Sequence, residues 1–441
     1  MKSLPLEARR TALVRLAALG GARAAAAGLG FLATLQLAPA AGPETLGTWA
    51  MLLAVQGWAL HLSECGLRSV VTAEGARTAG GPRRLLPVYL GTRLALASAV
   101  LLATLVGTAA LAPGFVAPMG LVLASLLLIA LQLDWLALVG DRPLTAGVLL
   151  LVRPAAWCAL LFLAGTPIGL ERLAALFALA WALAALASWP LLASRAPGRA
   201  EGDPPLPPGR MLRLGFPLML VTLGNQAVLA ADILLVGLVM GADRAGAFYL
   251  ASALIVAGLV LANAMNQIAI ARMGRLREEP SLFRAELGRQ LRTACGAGLG
   301  IALAGAAIGP FAIPVLFGPS FEQAVPVFAS LLPWLVLQHP SAVLQGAVVA
   351  AGGQRALLYA NGLLLLVAAP VLLAGLVTGS IELCALSRSA GELGRLLVLH
   401  CTVGRRVAAA QHEAIAGRPR IATLVAAPGS THSRGRDAER A

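Results

Sequence analysis

Apolar stretches of about twenty residues or more, broken only by short clusters of Arg, Gly and Pro, recur along this whole chain, and they leave few folds open to it. About 18 such residues suffice to carry a helix across the hydrocarbon core of a bilayer. The chain is 59% apolar and only 12% charged, against roughly 45–50% and 25% in an ordinary soluble domain. A soluble fold has too little interior to hide it. A transmembrane β-barrel would show alternating polarity in segments of about ten residues, and the Ala- and Leu-rich runs here do not alternate. The sequence therefore predicts an all-α polytopic membrane protein of about twelve transmembrane helices.

With charges, Pro and Gly as punctuation, spans fall near residues 11–37, 46–67, 85–111, 115–139, 144–165 and 170–194. After the Pro- and Gly-rich segment Arg195–Arg210, further spans fall near 211–240, 244–271, 290–317, 322–350, 355–378 and 381–403. The first stretch, Thr11–Leu37, exceeds the 7–15-residue apolar region of a signal peptide, so it reads as a retained first helix. The expected organisation is a six-helix lobe (1–194), a cytoplasmic linker (195–210), a second six-helix lobe (211–403) and a disordered cytoplasmic tail (404–441).

Positive charge tests this map independently, because Lys and Arg collect in cytoplasmic loops. Of the 34 basic residues, 26 fall in the termini and in alternate loops, with Arg272, Arg275, Arg277, Arg284, Arg289 and Arg292 the densest group. The opposite loops carry only Arg172 and Arg244. Both termini are thereby expected in the cytoplasm. The same rule explains the net charge of +14 without nucleic acid. The five cysteines form no CxxC pair and the histidines no HExxH, so neither a metal site nor a cofactor is signalled.

The last span carries Glu382, Arg388, Glu392 and Arg395. Arg388, Glu392 and Arg395 share one face and can pair with each other. Two readings stand here, a twelfth span or an amphipathic helix at the interface. A duplication is also visible: Arg15-Leu16 corresponds to Arg213-Leu214, and Leu46-Gly47-Thr48-Trp49 to Ala245-Gly246-Ala247-Phe248, at offsets of 198 and 199 residues. Two six-helix repeats of the same orientation are related by an axis along the membrane normal, with a central cavity between the lobes.

The outer loops gather none of the carboxylate, His or Cys clusters an enzyme would place beside its substrate, and no P-loop occurs. The chain is therefore not expected to be an enzyme. The remaining candidates are polar residues inside spans. Counted from their cytoplasmic ends, Arg23, Arg93 and Arg153 lie about 15 Å deep, near the midplane. Each costs about 2.5–3.5 kcal/mol unless it meets water, counter-charge or ligand. They can form a cationic cavity for phosphate or pyrophosphate, which guanidinium binds bidentately, or pair structurally with Asp134 and Asp232. Asp232 is also a candidate coupling or gating carboxylate, with Asp134 beside it in that role. Glu64 precedes Arg68 by four residues and reads as its structural partner. Asn225, Gln226, Asn263, Asn266, Gln267 and Gln338-His339-Pro340 can join helices, and Pro217, Pro314, Pro333 and Pro340 can kink them.

Leu37-Ala38, Gly42-Pro43-Glu44-Thr45-Leu46-Gly47-Thr48-Trp49 and Glu64-Cys65-Gly66-Leu67 form a hairpin with a short outer turn and an acidic-x-Gly-Leu ending. Gly215-Phe216-Pro217-Leu218, Asp232-Ile233-Leu234-Leu235-Val236-Gly237 and Gly246 to Ser252 open the second lobe, and Phe317-Gly318-Pro319-Ser320-Phe321 precedes the tenth span. Over residues 9–403 the chain resembles the polysaccharide and O-antigen flippases of the multidrug/oligosaccharidyl-lipid/polysaccharide exporter superfamily. The resemblance implies a two-lobed carrier in the bacterial inner membrane, working by alternating access. Its implied cargo is an undecaprenyl-pyrophosphate-linked oligosaccharide, moved from the cytoplasmic to the periplasmic leaflet during polysaccharide or lipopolysaccharide synthesis. Cavity arginines handle pyrophosphate in related carriers, which fits Arg23, Arg93 and Arg153. Partners implied are the lipid-linked oligosaccharide, membrane lipids and glycan-assembly proteins.

Two alternatives come from other classes. A multidrug and toxin-type exporter of cations should carry acidic rather than basic cavity residues. A non-transporting scaffold of a glycan-assembly complex would use the Arg-rich tail to bind a partner or anionic lipid.

Overall fold

The computed structural model describes residues 6–75, 81–140, 142–192, 206–276 and 279–415. Lys2, Arg77, most of the expected linker and everything beyond 415 lie outside the described residues. All the regular structure among the described residues is helical. The first helix, α1 (Leu6–Glu64), breaks at Gly42, whose φ of 73° and ψ of 168° suit a residue without Cβ. Its apolar part, Gly20–Glu64, has 45 residues and would be about 67 Å long if straight, more than twice the hydrocarbon thickness. The break makes two spans of it.

The chain continues through α2 (Leu67–Gly75), α3 (Gly81–Leu111), α4 (Val116–Ala130), α5 (Asp134–Val139), α6 (Pro143–Ala164) and α7 (Leu170–Ser188). The second half holds α8 (Pro208–Met240), α9 (Ala242–Gly258), α10 (Val260–Arg275), α11 (Pro280–Phe317), α12 (Ala324–Ala350), α13 (Gln354–Thr378) and α14 (Ile381–Ile415). Eight stretches have the length and apolarity of a span, and two more are bent: α8 by 47° between Ala227 and Leu229, and α9–α10 by 40°. With the first stretch doubled at Gly42 and the charged α14 counted as a span on its packing, the described helices give twelve crossings. We call inner the face carrying the Arg-rich loops.

α14 settles as a span through its packing. Its Cys384 lies against Gly375, Gly391 against Leu364, Gly394 against Leu363 and Val367, and Leu399 shares a buried cluster with Ala360. These contacts run antiparallel down the length of α13, so α14 crosses wherever α13 does. Arg388, Glu392 and Arg395 are all buried, which an interfacial helix with one wet face would not allow. The helix also runs to Ile415, twelve residues past the expected end of the span at 403, where a disordered tail was expected to begin. Nor do the bends follow the prolines: Pro217, Pro314, Pro333 and Pro340 lie inside α8, α11 and α12, away from the two breaks.

The duplication seen in the sequence reappears as geometry. Gly241, 199 residues after Gly42, joins α8 to α9 with φ 106° and ψ 158°. The repeated glycines then meet: a Cβ on Gly47 would lie 1.7 Å from the Ala242 carbonyl oxygen, and one on Gly246 would lie 2.0 Å from that of Pro43. At the inner end, Gly66 packs on the Gly215 carbonyl and Gly215 on that of Cys65. Backbone thus touches backbone at both ends of the seam between the halves, as small residues allow between membrane helices.

The apolar core is not uniform in depth. Its outer part is continuous, and Trp49, Leu123 and Phe177 share it with Phe248, Phe317 and Trp334. On the inner side it divides. Val343, Ala347, Ala360 and Leu399 form one cluster. Leu67, Val71, Tyr89 and Trp135 form another, and this one includes Met211 and Met219 of α8. The inner half of α8 therefore packs on the first lobe as well as on α13 of its own, where Asn361 meets Asn225.

Candidate functional site

Depth sorts the three arginines differently from the sequence count. Measured from the outer turns, Arg153 lies 11 residues from the end of α6, about 16 Å, and hence near the midplane. Arg23 is 19 residues from Gly42 and Arg93 is 18 from the end of α3, which puts each about 27–28 Å from the outer end, at the inner side of the bilayer. The two helices begin earlier on the inner side than the apolar runs do, so counting inward from the edge of the apolar run placed both residues too deep. The structure does not bring the three together at the midplane.

Of the three, Arg153 lies deepest. Its guanidinium carbon stands 4.8 Å from the centre of the Trp181 ring, and it lies within electrostatic reach of Tyr249 on α9, so it faces the seam between the lobes. Trp181 begins a run of ring contacts through Phe177 to Trp49 and Trp157, which fixes the ring on which the guanidinium rests. No carboxylate pairs with Arg153 among the described residues. Protein surrounds it closely, yet part of its side chain remains accessible. A desolvated cation–π contact is worth about 2 kcal/mol, less than the insertion cost of the charge. The remainder is available to an anion.

Arg93 is partnered instead. It is 3% exposed, donates to the Tyr89 hydroxyl at 2.8 Å, and has Glu64 Oε1 3.7 Å from its Nη1. Glu64 thus faces Arg93 rather than Arg68. The helix ends at Glu64, with Cys65 and Gly66 both at positive φ, so the i, i+4 geometry that would join Glu64 to Arg68 does not exist. Arg68 pairs with Asp134 at the start of α5. Arg23 is exposed on α1, with no ion partner among the described residues.

Asp232 lies about nine residues from Gly241, or about 13 Å deep, and is 3% exposed. Arg388 of α14 holds both its oxygens, Nε on Oδ2 at 2.5 Å and Nη2 on Oδ1 at 2.9 Å. Its Nη2 also donates to the Leu229 carbonyl at 3.2 Å, one residue past the break in α8. The guanidinium carbon stands 5.3 Å from the Phe248 ring centre and 5.1 Å from that of Trp334. Glu392 is held by Arg395 and by the Gln338 amide at 2.8 Å, and Asn361 donates to Asn225 at 3.1 Å. The expected pairing of Arg388 with Glu392 gives way to the pairing with Asp232, since α8 offers a carboxylate across the lobe.

Trp181, Tyr249 and the Asp232 partner Arg388 escaped the sequence reading as site residues. An aromatic residue in an apolar span carries no signal of its own, and only the folded lobe sets it against a cation. Among the described residues, no group of three or more His, Cys, Asp or Glu could hold a metal ion.

A family model described as "polysaccharide biosynthesis protein" matches residues 207–326. The chain is similar in structure to a multidrug resistance MATE family transporter of the MOP superfamily in an inward-facing conformation, with a TM-score of 0.70, 13% identity, and 88% of this chain and 96% of that chain covered. It is similar also to the lipid II flippase MurJ in an inward closed conformation, at TM-score 0.68 and 11% identity, covering 90% of each chain. A MOP superfamily transporter from Pyrococcus furiosus Vc1 aligns at TM-score 0.62 and 13% identity, over 90% of this chain and 96% of that one. None of the curated proteins matches the sequence. The chain is a multi-pass membrane protein whose fold is similar to that of these solved structures.

Proposed function

We propose that this chain is a flippase for a lipid carrying an oligosaccharide through a pyrophosphate, working by alternating access between its two lobes. The observation that carries this is Arg153: a midplane cation resting on Trp181, within electrostatic reach of Tyr249 in the other lobe, and without a carboxylate partner among the described residues. A pyrophosphate supplies the missing charge, and guanidinium is the side chain whose planar fork binds it with two hydrogen bonds. The match of residues 207–326 to a polysaccharide biosynthesis model and the fold shared with a lipid II flippase support the same cargo class. The Arg-rich inner loops support a cytoplasmic reading of that face, and with it export towards the periplasmic leaflet of a bacterial inner membrane.

The MATE likeness keeps a second reading, export of small cations. Such a cargo needs a free carboxylate in the cavity, and Asp232, Asp134 and Glu392 are each engaged by an arginine. The test is translocation of a lipid-linked oligosaccharide by the purified chain in proteoliposomes, normalised to reconstituted protein. Arg153→Gln should reduce it at least tenfold and Arg153→Lys should restore part of it, since an ammonium keeps the charge but not the fork. Full activity in Arg153→Gln would refute the anionic cargo site.

A further inference from the structure

α9, α11 and α12 of the second lobe enclose a slot of about 360 Å³, at the small end of the range of about 300–1,000 Å³ for ligand pockets. α12 packs on both of the other helices and gives the back wall through Phe328, Leu332 and Leu335. Leu254 and Gly258 of α9 and the Ile301–Phe317 stretch of α11 form the sides, and Phe31 of α1 closes the slot towards the first lobe. No side chain that lines it carries a nitrogen or an oxygen. Two glycines shape the back wall: a Cβ on Gly309 would lie 2.5 Å from Phe328 Cε1, and one on Gly305 would lie 3.2 Å from Leu332 Cδ2. The Phe328 ring therefore lies against the backbone of α11 and leaves the slot open beside it.

The slot is long and follows the membrane normal. Phe317 ends α11 at the outer turn, and Ile301 lies 16 residues before it, about 24 Å deep. Leu335 is 11 residues into α12 and Phe31 is 11 residues short of Gly42, each about 16 Å deep. The slot thus occupies the outer leaflet and reaches the midplane. Ile308 and Leu316, which line it, are also 62% and 48% exposed, so at that edge it opens to the bilayer. Its deeper part lies level with Arg153. α1 and α6 pack side by side, both running towards the outer face, and Gln36 Oε1 accepts from Cys158 Sγ at 3.9 Å, which fixes their register. Phe31 and Arg153 each lie five residues before that contact, and so at one depth. Five residues turn a helix by about 140°, so the slot lies round α1 from α6, level with the guanidinium and not in contact with it.

We propose that this slot holds the hydrocarbon chain of the cargo lipid in the outer leaflet. Hydrocarbon gains little by moving from a bilayer into an apolar slot, since no hydrophobic driving force separates the two. What selects the occupant is therefore where its headgroup is held. A bilayer phospholipid is tethered nowhere in the protein, so its chains visit the slot in proportion to their abundance. A lipid with its pyrophosphate at Arg153 starts its chain at the level of the slot, and the tether raises the local concentration of that chain far above its abundance. The apolar core shared by the lobes runs between the two places: Ile255, Phe317, Phe328 and Leu332 of the slot belong to one cluster with Phe177, whose ring meets that of Trp181 under the guanidinium. A cation and an apolar slot at one level match the two ends of one amphipathic molecule. The slot takes a short stretch of a long chain and leaves the rest in the bilayer. This inference rests on the proposed cargo class and adds a second subsite to it, in the leaflet of delivery.

The test is photo-crosslinking of the full chain in lipid nanodiscs, with p-benzoylphenylalanine in place of Ala304, at the exposed edge of the slot, or of Leu303, its bilayer-facing neighbour at 62% exposure. Tritiated polyprenyl pyrophosphate at trace level should label the Ala304 position several-fold more than the Leu303 position, whereas tritiated phosphatidylglycerol should label the two alike. Ala312→Trp, which fills the slot, should bring the two positions level and reduce translocation of a lipid-linked oligosaccharide several-fold at unchanged protein level. If Ala312→Trp fails to reach the membrane, Ala312→Leu is scored in the same way. Equal labelling by polyprenyl pyrophosphate, a preference of phosphatidylglycerol for the Ala304 position, or full translocation by the filled variant would each overturn the proposal. Arg153→Gln reports on the cargo site separately. If it abolishes translocation while the two positions label alike, the slot falls and the pyrophosphate reading stands. If it leaves translocation intact while the Ala304 position is still preferred, the pyrophosphate reading falls and the slot stands.

Discussion

Removing the guanidinium of Arg388 tests both the twelfth span and the role given to Asp232. In Arg388→Met, the Asp232 carboxylate keeps only its hydrogen bond from the Ile233 N–H at 2.8 Å, while remaining 3% exposed. The Leu229 carbonyl at the break of α8 loses its side-chain donor as well. Breaking one partner out of a buried ion pair costs about 3–5 kcal/mol, because it leaves a buried charge alone. Asp232→Asn with Arg388→Met removes both charges and roughly preserves volume, and such replacements are often neutral. The cycle therefore predicts that the double variant is more stable than Arg388→Met, with a coupling of about 3 kcal/mol. The assay is thermal loss of the monodisperse peak in detergent, compared among wild type, both single variants and the double variant. An interfacial α14 would put both groups near water, where an ion pair is worth about 0–1 kcal/mol. Equal loss in Arg388→Met and the double variant, or no loss in either, would refute the buried pair.

Gly47→Val and Gly246→Val should each prevent accumulation of folded protein, since even a Cβ would lie 1.7 Å or 2.0 Å from a carbonyl oxygen, whereas Gly107→Val, with nothing within 4 Å of its Cβ position, should be tolerated; membrane protein level after expression distinguishes them. At the inner ends of α10 and α11, burial alone would raise the Glu286 carboxyl, but hydrogen bonds from Gln290, Arg289 and Arg272 together hold it below its ordinary 4.5. A depressed carboxyl stabilises the fold above its unfolded pKa and loses that contribution as pH falls through the lower, folded value, so the fold should weaken in acid below about pH 4.5, and Glu286→Gln should flatten that part of the stability–pH curve.

The spans were legible because their signal is local. A run of apolar residues needs no partner to be recognised, and the alternation of arginines between loops checked the count without any knowledge of packing. The offset of 198–199 residues between Leu46-Gly47-Thr48-Trp49 and Ala245-Gly246-Ala247-Phe248 was legible for the same reason, and the matching turns at Gly42 and Gly241 give it a structural cause. Depth was not legible. The helix containing Arg23 begins at Leu6 among the described residues and that containing Arg93 at Gly81, so the polar inner extension of each helix displaced the origin from which depth was counted. Arg153 escaped this error because α6 starts at Pro143, with almost no polar extension before its apolar run.

Partnership was the second thing hidden, and it changes what the charged residues mean. Sequence spacing offers partners on the same helix, which is how Glu64 was joined to Arg68 and Arg388 to Glu392. In the fold, Glu64 faces α3, and Arg388 crosses to Asp232 on α8, because short-range spacing cannot weigh a neighbour that arrives from 156 residues away. The outcome separates two kinds of intramembrane charge. Those with an opposite charge close by, Asp232 and Glu392 with their arginines, hold the second lobe and the bend of α8 in place. Arg153 at the midplane has no carboxylate partner among the described residues and lies within electrostatic reach of Tyr249 in the other lobe, where charge can still be added. A carrier needs rigid lobes and a boundary that responds to its cargo. On the proposed function, the paired charges of this chain suit the first task, in the lobe interior, and Arg153 the second, at the seam.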